Sequence, residues 1–507
     1  MKKEIRQNKI IYLLLFFVLV GAAFFRLYRL GDLLGFYYDQ GRDALKVQEI
    51  LSFQDFPAIG PTTGIAGLFL GPLWYYLLTP FYLIGQGNPA VAAAFVCLFD
   101  VGTVFLIFWL GKEFFSRQIG LIASFLWGFS YYLVRSARWF SNPSPLPFFV
   151  VLLLFALGQF FLKKKDKYLI LVAFCLAVSL QLEMASAIFF FPSLILIWFL
   201  FRPKIKNKKN ILWAIGVFFV FLIPQVLFEI KNKFLMTRNF FSFTTGEINT
   251  DTSQTWALPS LEFVKERIVA YFNILFSKLE TNPSHGSKFL SILWLVFLAW
   301  RLFQAFKKKT SENAMFLILL IFLFVPLLAL LFFVGNYGRL YDYYLTGFFP
   351  AFIFLFALFV GFFLKKKLYW PILTLVLFWF AYFNLPFLKN YLSAGLDGPT
   401  HITLGNELQA VDWVYQDAQG QGFNVDVYVP PVIPYSYDYL FQWRGQRFYQ
   451  QRPVAENVPL LYTLYEVDPE HPFFLDAWLA RQDKIAETAK VKKFGGITVE
   501  RRLRLTP

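Results

Sequence analysis

The stretch LILLIFLFVPLLALLFFV, Leu317 to Val334, carries no charge and no side-chain hydrogen-bond donor. Coiled as a helix it is close in length to the ~30 Å hydrocarbon layer of a bilayer. Ile10 to Val20 and Leu290 to Trp300 belong to further segments of the same kind. The whole chain is 57% hydrophobic, 21% aromatic and 16% charged, against roughly 25% charge in an average soluble domain. A soluble core has no room for that much apolar surface, so the bilayer is the solvent for most of the chain. The formal net charge of +16 does not point to nucleic acid, because the basic residues fall in short clusters between apolar segments. The first apolar segment is followed by Arg26 and Arg29 where a signal peptidase would need small residues, and it reads as a retained helix. Cys97 and Cys175 lie in apolar segments and form no disulfide framework.

The lysines solve the topology. Clusters at Lys2 to Lys9, Lys112 to Arg117, Lys163 to Lys167, Arg202 to Lys209, Arg301 to Lys309 and Lys365 to Lys367 each mark a cytoplasmic loop, while the connections 135–145, 183–185 and 335–342 carry no lysine. The alternation gives an all-α, multi-pass protein with about eleven spans, its N-terminus inside and C-terminus outside, in the plasma (inner) membrane. Leu68 to Leu83 is apolar but broken by Gly71, Pro72 and Pro80. Counting it as a span would invert every later loop, so it reads as interfacial or re-entrant.

Outside the membrane this leaves about Arg29 to Pro89, about Lys231 to Ser287, and a tail. The division is 1–388 for the membrane part and 389–507 for a small α/β domain. In the tail the pattern predicts a helix near Asn406 to Gln419 and strands at Phe423 to Val429, Pro472 to Leu475 and Ile497 to Leu505. It has no zinc spacing, catalytic triad or phosphate-binding glycine loop.

The first outer loop is the informative one: GFYYDQGRDALKVQEILSF, 35–53. Ala44, Val47, Ile50 and Leu51 recur at helical spacing, which predicts an amphipathic helix on the outer leaflet. Asp39 reads either as that helix's N-cap, with Asp43 a solvated residue of its first turns, or as a carboxylate placed beside Arg42 to meet an anionic, lipid-linked substrate at the membrane surface.

This loop, followed by GPLWYYLLTPFYLIG (71–85), SARWFSNPSPLPFF (136–149), SLQLEMASAIFFFPSLIL (179–196) and GRLYDYYLTGFFPAFIFLFA (338–357), resembles the integral-membrane glycosyltransferases of the C superfamily. The likeness is to the branch of the protein O-mannosyltransferases and the lipid A aminoarabinose transferase, and it covers roughly the first 390 residues. It implies an enzyme that takes a hexosyl or pentosyl unit from a polyprenyl-phosphate carrier to a glycan, lipid or protein acceptor on the outer face. Asp39 matches the family's first-loop catalytic aspartate. The family often has Asp-Glu there, whereas this chain has Asp39-Gln40, and the second outer loop reads Ser141-Asn142-Pro143 where many relatives carry an acid. Asp43 is the substitute acid. Paired-acid metal binding is weakened, and the expectation is no cofactor, with a divalent cation as the alternative.

The implied chemistry needs a base and a phosphate clamp. The phosphate is already a good leaving group, so Asp39 would only accept the acceptor's hydroxyl proton as that oxygen attacks C1 with inversion. Arginine matches phosphate oxygens with its planar fork, and the candidates are Arg42, Arg138 and Arg339. Arg135 reads as an interfacial anchor. Arg339 lies in a short connection with Tyr341 and Asp342, where a turn salt bridge competes with a binding role. Glu183, at the outer end of a helical hairpin, is costly unless it lines a cavity or has a partner. Gly64, Gly67 and Gly71 read as packing glycines, His285, His401 and His471 are too scattered to bind a metal together, and Trp74, Tyr75, Trp139 and Trp443 include interfacial belt residues. Two other classes share these features: a transporter or flippase of lipid-linked sugars, which would need no outer domain and usually shows internal repeats absent here, and an inactive assembly partner lacking the second acid.

Overall fold

The computed structural model describes residues 4, 7–245, 259–281, 285–333, 339–365, 370–430 and 433–505. Helices stand where the apolar runs lie, because a backbone in hydrocarbon has to satisfy its own N–H and C=O groups. In chain order they are α1 (Lys9–Leu27), α2 (Tyr38–Leu51), α3 (Leu73–Ile84), α4 (Pro89–Phe114), α5 (Arg117–Phe129), α6 (Tyr131–Ala137), α7 (Leu146–Leu157), α8 (Tyr168–Leu182), α9 (Phe190–Phe201), α10 (Lys209–Lys231) and α11 (Leu235–Thr245). They continue as α12 (Leu261–Ser277), α13 (His285–Lys307), α14 (Ser311–Leu330), α15 (Phe349–Phe362) and α16 (Trp370–Ser393). Among the described residues, 7 helices are long and apolar enough to cross a membrane, and shorter apolar helices lie at Leu73–Ile84, Leu146–Leu162, Tyr168–Leu182 and Phe349–Phe362. The chain is a multi-pass membrane protein. The bundle's last helix runs past 388 to Ser393.

Amphipathicity sorts the helices by depth. α15 is apolar on every face and is buried from Phe349 through Gly361, which makes it the centre of the bundle. α10 is apolar from Ile211 to Pro224, yet only Ala214 is buried, so its flanks are left to face lipid.

The two ends of the bundle differ in charge. At one end Glu4 bridges Lys112 at 2.8 Å and Arg117 at 3.0 Å, and Asp166 accepts from the backbone N–H groups of Lys206 (2.6 Å) and Asn207 (3.0 Å). Lys163 lies 3.9 Å from Glu113, so the loops 112–117, 163–167 and 202–209 sit together, as a shared face requires. Lys2, Lys3, Lys366, Lys367 and 335–338 lie outside the described residues. At the other end α1, α6 and α16 meet: Arg29 donates to the carbonyls of Leu392 and Ala394, and Asn384 accepts from Tyr131 N–H at 2.8 Å.

Inside the bundle, Arg26 pairs with Asp100 at 2.5 Å, Trp127 Nε1 donates to the other Asp100 oxygen at 2.9 Å, and the carbonyls of Ala22, Trp127 and Gly128 accept from the rest of the guanidinium.

The tail comprises α17 (Leu404–Ala418), β1 (Asn424–Tyr428), α18 (Tyr435–Arg444), β2 (Leu460–Glu466), α19 (Pro472–Asp483), β3 (Ala486–Phe494) and β4 (Ile497–Arg504). The sheet order is β1-β2-β4-β3, with β1 parallel to β2 and the other pairs antiparallel. The strand expected at Pro472 to Leu475 is corrected. Proline sits at the first helical position and the run continues into the good helix formers of α19. The tail shares its core with the first loop: Leu34, Phe36, Ala44 and Val47 pack in one cluster with Leu404, Val411, Tyr437 and Leu440. Leu404 N–H donates to Leu34 O at 2.8 Å, and Tyr37 Oη donates to Ile402 O at 2.9 Å. Gly41 is required here, because a Cβ would run into the backbone of Tyr435 and Ser436.

Candidate active site

The first turn of α2 is set by Tyr37, whose extended backbone is the N-cap and whose N–H donates to Gln40 Oε1 at 3.0 Å. Gln40 is thus spent on a capping interaction that either Gln or Glu can make. This corrects the reading of Asp39 as the cap. Asp39 lies inside the first turn, its carboxylate 58% exposed, and its Oδ1 is 2.8 Å from Arg42 Nη1. Asp43 is not solvated either. It is 2% exposed, its Oδ1 accepts from Arg42 Nε at 3.0 Å and Nη2 at 2.7 Å, and its Oδ2 accepts from Trp74 Nε1 at 2.7 Å. The Arg42 side chain keeps 21% of its surface open. One guanidinium is therefore held from behind by a buried carboxylate and faces an accessible one.

Burial pushes the Asp43 carboxyl up to about 6, against the pull of Arg42 and the Trp74 N–H. Glu183 is buried as well and pushed up to about 7, and its Oε1 caps the turn Met184–Ala187 by accepting from Ala185 N–H at 3.0 Å. The residues just before it are tied to the outer loops: Leu73 N–H donates to Gln181 Oε1 at 3.1 Å, and Asn142 Nδ2 donates to Leu182 O at 2.6 Å.

The expected clamp is only partly assembled. Arg138 is 2% exposed and donates to Tyr391 Oη (3.0 Å) and to the carbonyls of Phe25 (3.2 Å), Arg26 (3.2 Å) and Tyr28 (2.9 Å). It closes the C-terminal end of α1, where unpaired carbonyls need donors, and these bonds occupy its guanidinium. The turn salt bridge that competed with a binding role for Arg339 is not formed with Asp342. Asp342 pairs with Lys278 at 2.5 Å, while Arg339 is exposed and has no ion pair among the described residues. Tyr341 stacks on Tyr343 with ring centroids 5.8 Å apart. Among the described residues, no hydrogen bond or ion pair joins this loop to Asp39, Arg42 or Asp43.

Two residues gain weight that the sequence did not give them. Trp74 is fully buried as the Asp43 donor, so it is no belt residue. Lys278, 1% exposed, lies 4.6 Å from the Phe349 ring centroid and 5.2 Å from that of Tyr132. Burial holds its ammonium below the usual lysine range, against the attraction of Asp342. The only sequence signal for it was a lysine in a loop read as lying outside. As for a metal, Asp39 and Asp43 are turned onto Arg42 and away from a shared space, and among the described residues no three His, Cys, Asp or Glu side chains converge.

Residues 70–228 match the family model described as dolichyl-phosphate-mannose-protein mannosyltransferase. An uncharacterised protein of Aquifex aeolicus is 27% identical over 293 residues, 57% of this chain and 52% of that protein, so the chain spans about half of the curated relative it matches. Among solved structures, apo ArnT from Cupriavidus metallidurans superposes with a TM-score of 0.58 at 11% identity, over 98% of both chains. The same enzyme bound to undecaprenyl phosphate gives 0.56. The archaeal oligosaccharyltransferase AglB from Archaeoglobus fulgidus, in complex with an inhibitory peptide and a dolichol-phosphate, gives 0.50 at 11% identity, over 97% of this chain and 74% of that one. In fold along nearly its whole length, and in sequence pattern over residues 70–228, this chain is similar to the integral-membrane glycosyltransferases of the C superfamily.

Proposed function

We propose that the chain is a glycosyltransferase that moves a sugar from a polyprenyl-phosphate carrier to a glycan, lipid or protein acceptor on the non-cytoplasmic face of the plasma membrane, with inversion at C1. The observation that carries this reading is the corner of α2, where an exposed Asp39 and a buried Asp43 share Arg42. Asp39, the accessible one, takes the proton of the acceptor hydroxyl as the oxygen forms its bond to C1. The C1–O bond to the phosphate breaks, its electron pair leaves on the phosphate, and Arg42 stands ready to stabilise the negative charge that grows there. Asp43 touches neither reactant in this scheme. With Trp74 it holds the guanidinium in place, a positioning role in place of the catalytic one expected from sequence. No step is routed through a metal, since the two acids face Arg42. Arg339 and Tyr341, both exposed, and Glu183 remain candidates for lining the donor's path.

The test is Asp39→Asn, which keeps the shape of the side chain and a hydrogen bond to Arg42 but removes the base. Turnover of a polyprenyl-phosphate sugar should fall by roughly 10²–10⁴-fold while the protein stays folded. Substantial turnover by a folded Asp39→Asn enzyme overturns the assignment. The orientation has its own check: cysteine labelling should place Lys164, Lys208 and Lys308 in the cytoplasm and Asp412 outside, and a cytoplasmic Asp412 removes the outer active site.

A further inference from the structure

The tail is seated on the first outer loop through the start of α18. The backbone of Tyr435 and Ser436 lies so close to Gly41 that no Cβ fits between them, and the Tyr435 ring is 5.0 Å from that of Tyr38. Both contacts fall on the turn of α2 that carries Asp39 and Arg42. Behind this seat two carboxyl groups are closed off from water: Glu407, in the first turn of α17, is 0% exposed, and Glu466, at the end of β2, is 6% exposed.

Glu466 Oε1 accepts from the buried Tyr437 hydroxyl at 3.0 Å, whereas neither Glu407 oxygen has a hydrogen-bond partner among the described residues. What faces Glu407 is the Ser436 hydroxyl and the Glu466 carboxyl, and the charge of either acid reaches the Tyr37 hydroxyl. No cation joins them. The charged groups on the surrounding elements pair elsewhere: Asp32 with Arg29, Asp39 and Asp43 with Arg42, Lys490 and Arg501 with Asp417, and Arg502 with Glu500 and Asp483. An ionised carboxylate buried without a partner is among the costliest groups a fold can hold, and two that face each other also repel. Both are therefore held protonated. Burial pushes Glu466 up to about 7, and burial together with the neighbouring acid pushes Glu407 well above the ordinary 4.5.

We propose that Glu407 and Glu466 form a proton-operated latch that keeps the tail seated on α2 and opens when the pair ionises. Ser436 and Tyr437 belong both to the seat on Gly41 and to the shell around the acids, so charge on the pair, and the water it draws in, displaces the same residues that touch α2. The sign follows from linkage. Both folded values are raised, so docking takes up protons: the latch is fully closed below 4.5, weakens as pH rises through about 7, where Glu466 ionises, and is lost as Glu407 follows. Two carboxylates and a phenol fall short of the roughly six to eight oxygens of a calcium site, which leaves the proton as the group that satisfies the pair. The effect on turnover rests on the transferase reading, because opening the latch loosens the turn bearing Asp39 and Arg42. The latch itself does not depend on that reading.

The test is amide hydrogen exchange, read by mass spectrometry on the full chain in detergent across neutral and alkaline pH and corrected for the intrinsic pH dependence of exchange. Protection of residues 37–44 and 435–444 should fall above neutral pH, by about tenfold per pH unit for each proton released, while that of the central bundle helix α15 stays constant. Glu407→Gln and Glu466→Gln should each flatten the fall, and the double variant should keep the tail docked in alkali. Tyr437→Phe covers the case in which the glutamine variants do not fold. It removes the hydroxyl that favours the ionised form of Glu466, so it should move the transition to higher pH. Protection that does not vary with pH in the wild type overturns the latch, as does a fall that persists in the double variant or stays in place in Tyr437→Phe. Calcium or magnesium ions that restore protection in alkali assign the pair to a cation and overturn it too. Absence of donor-sugar turnover by a wild type whose protection falls in this way sinks the transferase reading and leaves the latch standing.

Discussion

The molecule contains two arginine–aspartate–tryptophan triads made of the same groups and put to different ends. In the first, Arg26 and Asp100 are sealed in the bundle, with side-chain exposures of 0% and 4%, and Trp127 and backbone carbonyls take up the remaining hydrogen-bonding capacity. In the second, Asp43 is as buried and bound to Trp74 in the same way, but Arg42 is 21% open and its remaining nitrogen faces an exposed acid. Chemistry alone does not separate a lock from a site. What separates them is whether the guanidinium has anything left to offer.

The sharpest way to break this comparison is to remove the acid from each triad. Asp100→Ala strands a buried guanidinium and should cost about 3–5 kcal/mol, read as lost folded protein or a large fall in melting temperature in detergent. Asp43→Ala leaves Arg42 with Asp39 and solvent, so its folding cost should be smaller and its main effect should fall on donor use. Equal destabilisation by the two variants would erase the distinction. At the arginines, Arg42→Ala should raise the donor requirement by roughly 10–150-fold, the worth of a charge-assisted hydrogen bond, in a protein that still folds. Arg42→Lys should recover part of this, keeping charge without the fork. Normal donor saturation by Arg42→Ala would exclude the clamp.

A smaller effect concerns pH. With the Asp43 carboxyl pushed up to about 6, the ionised form that steadies Arg42 predominates only above that value. Activity should be half-maximal near pH 6 and fall about tenfold per unit below it, and Asp43→Asn should flatten that limb. If the limb persists in Asp43→Asn and vanishes in Glu183→Gln, which removes the carboxyl that burial pushes up to about 7, the controlling group is Glu183. Stability runs the other way. A raised folded value means that folding takes up a proton between 3.8 and about 6, so Asp43's contribution is fully present below that window and is lost as pH rises through it.

The sequence by itself determined the membrane bundle, the basic loops gathered at one end, the amphipathic helix after the first span, and the acid-arginine motif on it. All of these are written in local periodicity and in charge between apolar runs, which the bilayer reads residue by residue. Part of the tail was legible for the same reason, with β1, β4 and α17 near their expected places, whereas α18, β2 and β3 were not read. The strand read at Pro472 failed because four residues cannot tell a strand from the first turn of a helix. Only the tertiary structure decided which acid of α2 is open and which is buried, because Asp43 is hidden by Trp74 and Asp39 is not. It also decided that Arg138 spends its donors on carbonyls more than a hundred residues away, that Asp342 belongs to Lys278, and that Glu407 and Glu466 face each other behind the seat of the tail on α2. Each of these is a pairing between distant parts of the chain. A side chain's type fixes what it can bond, but its partner is fixed by packing, which no local pattern carries.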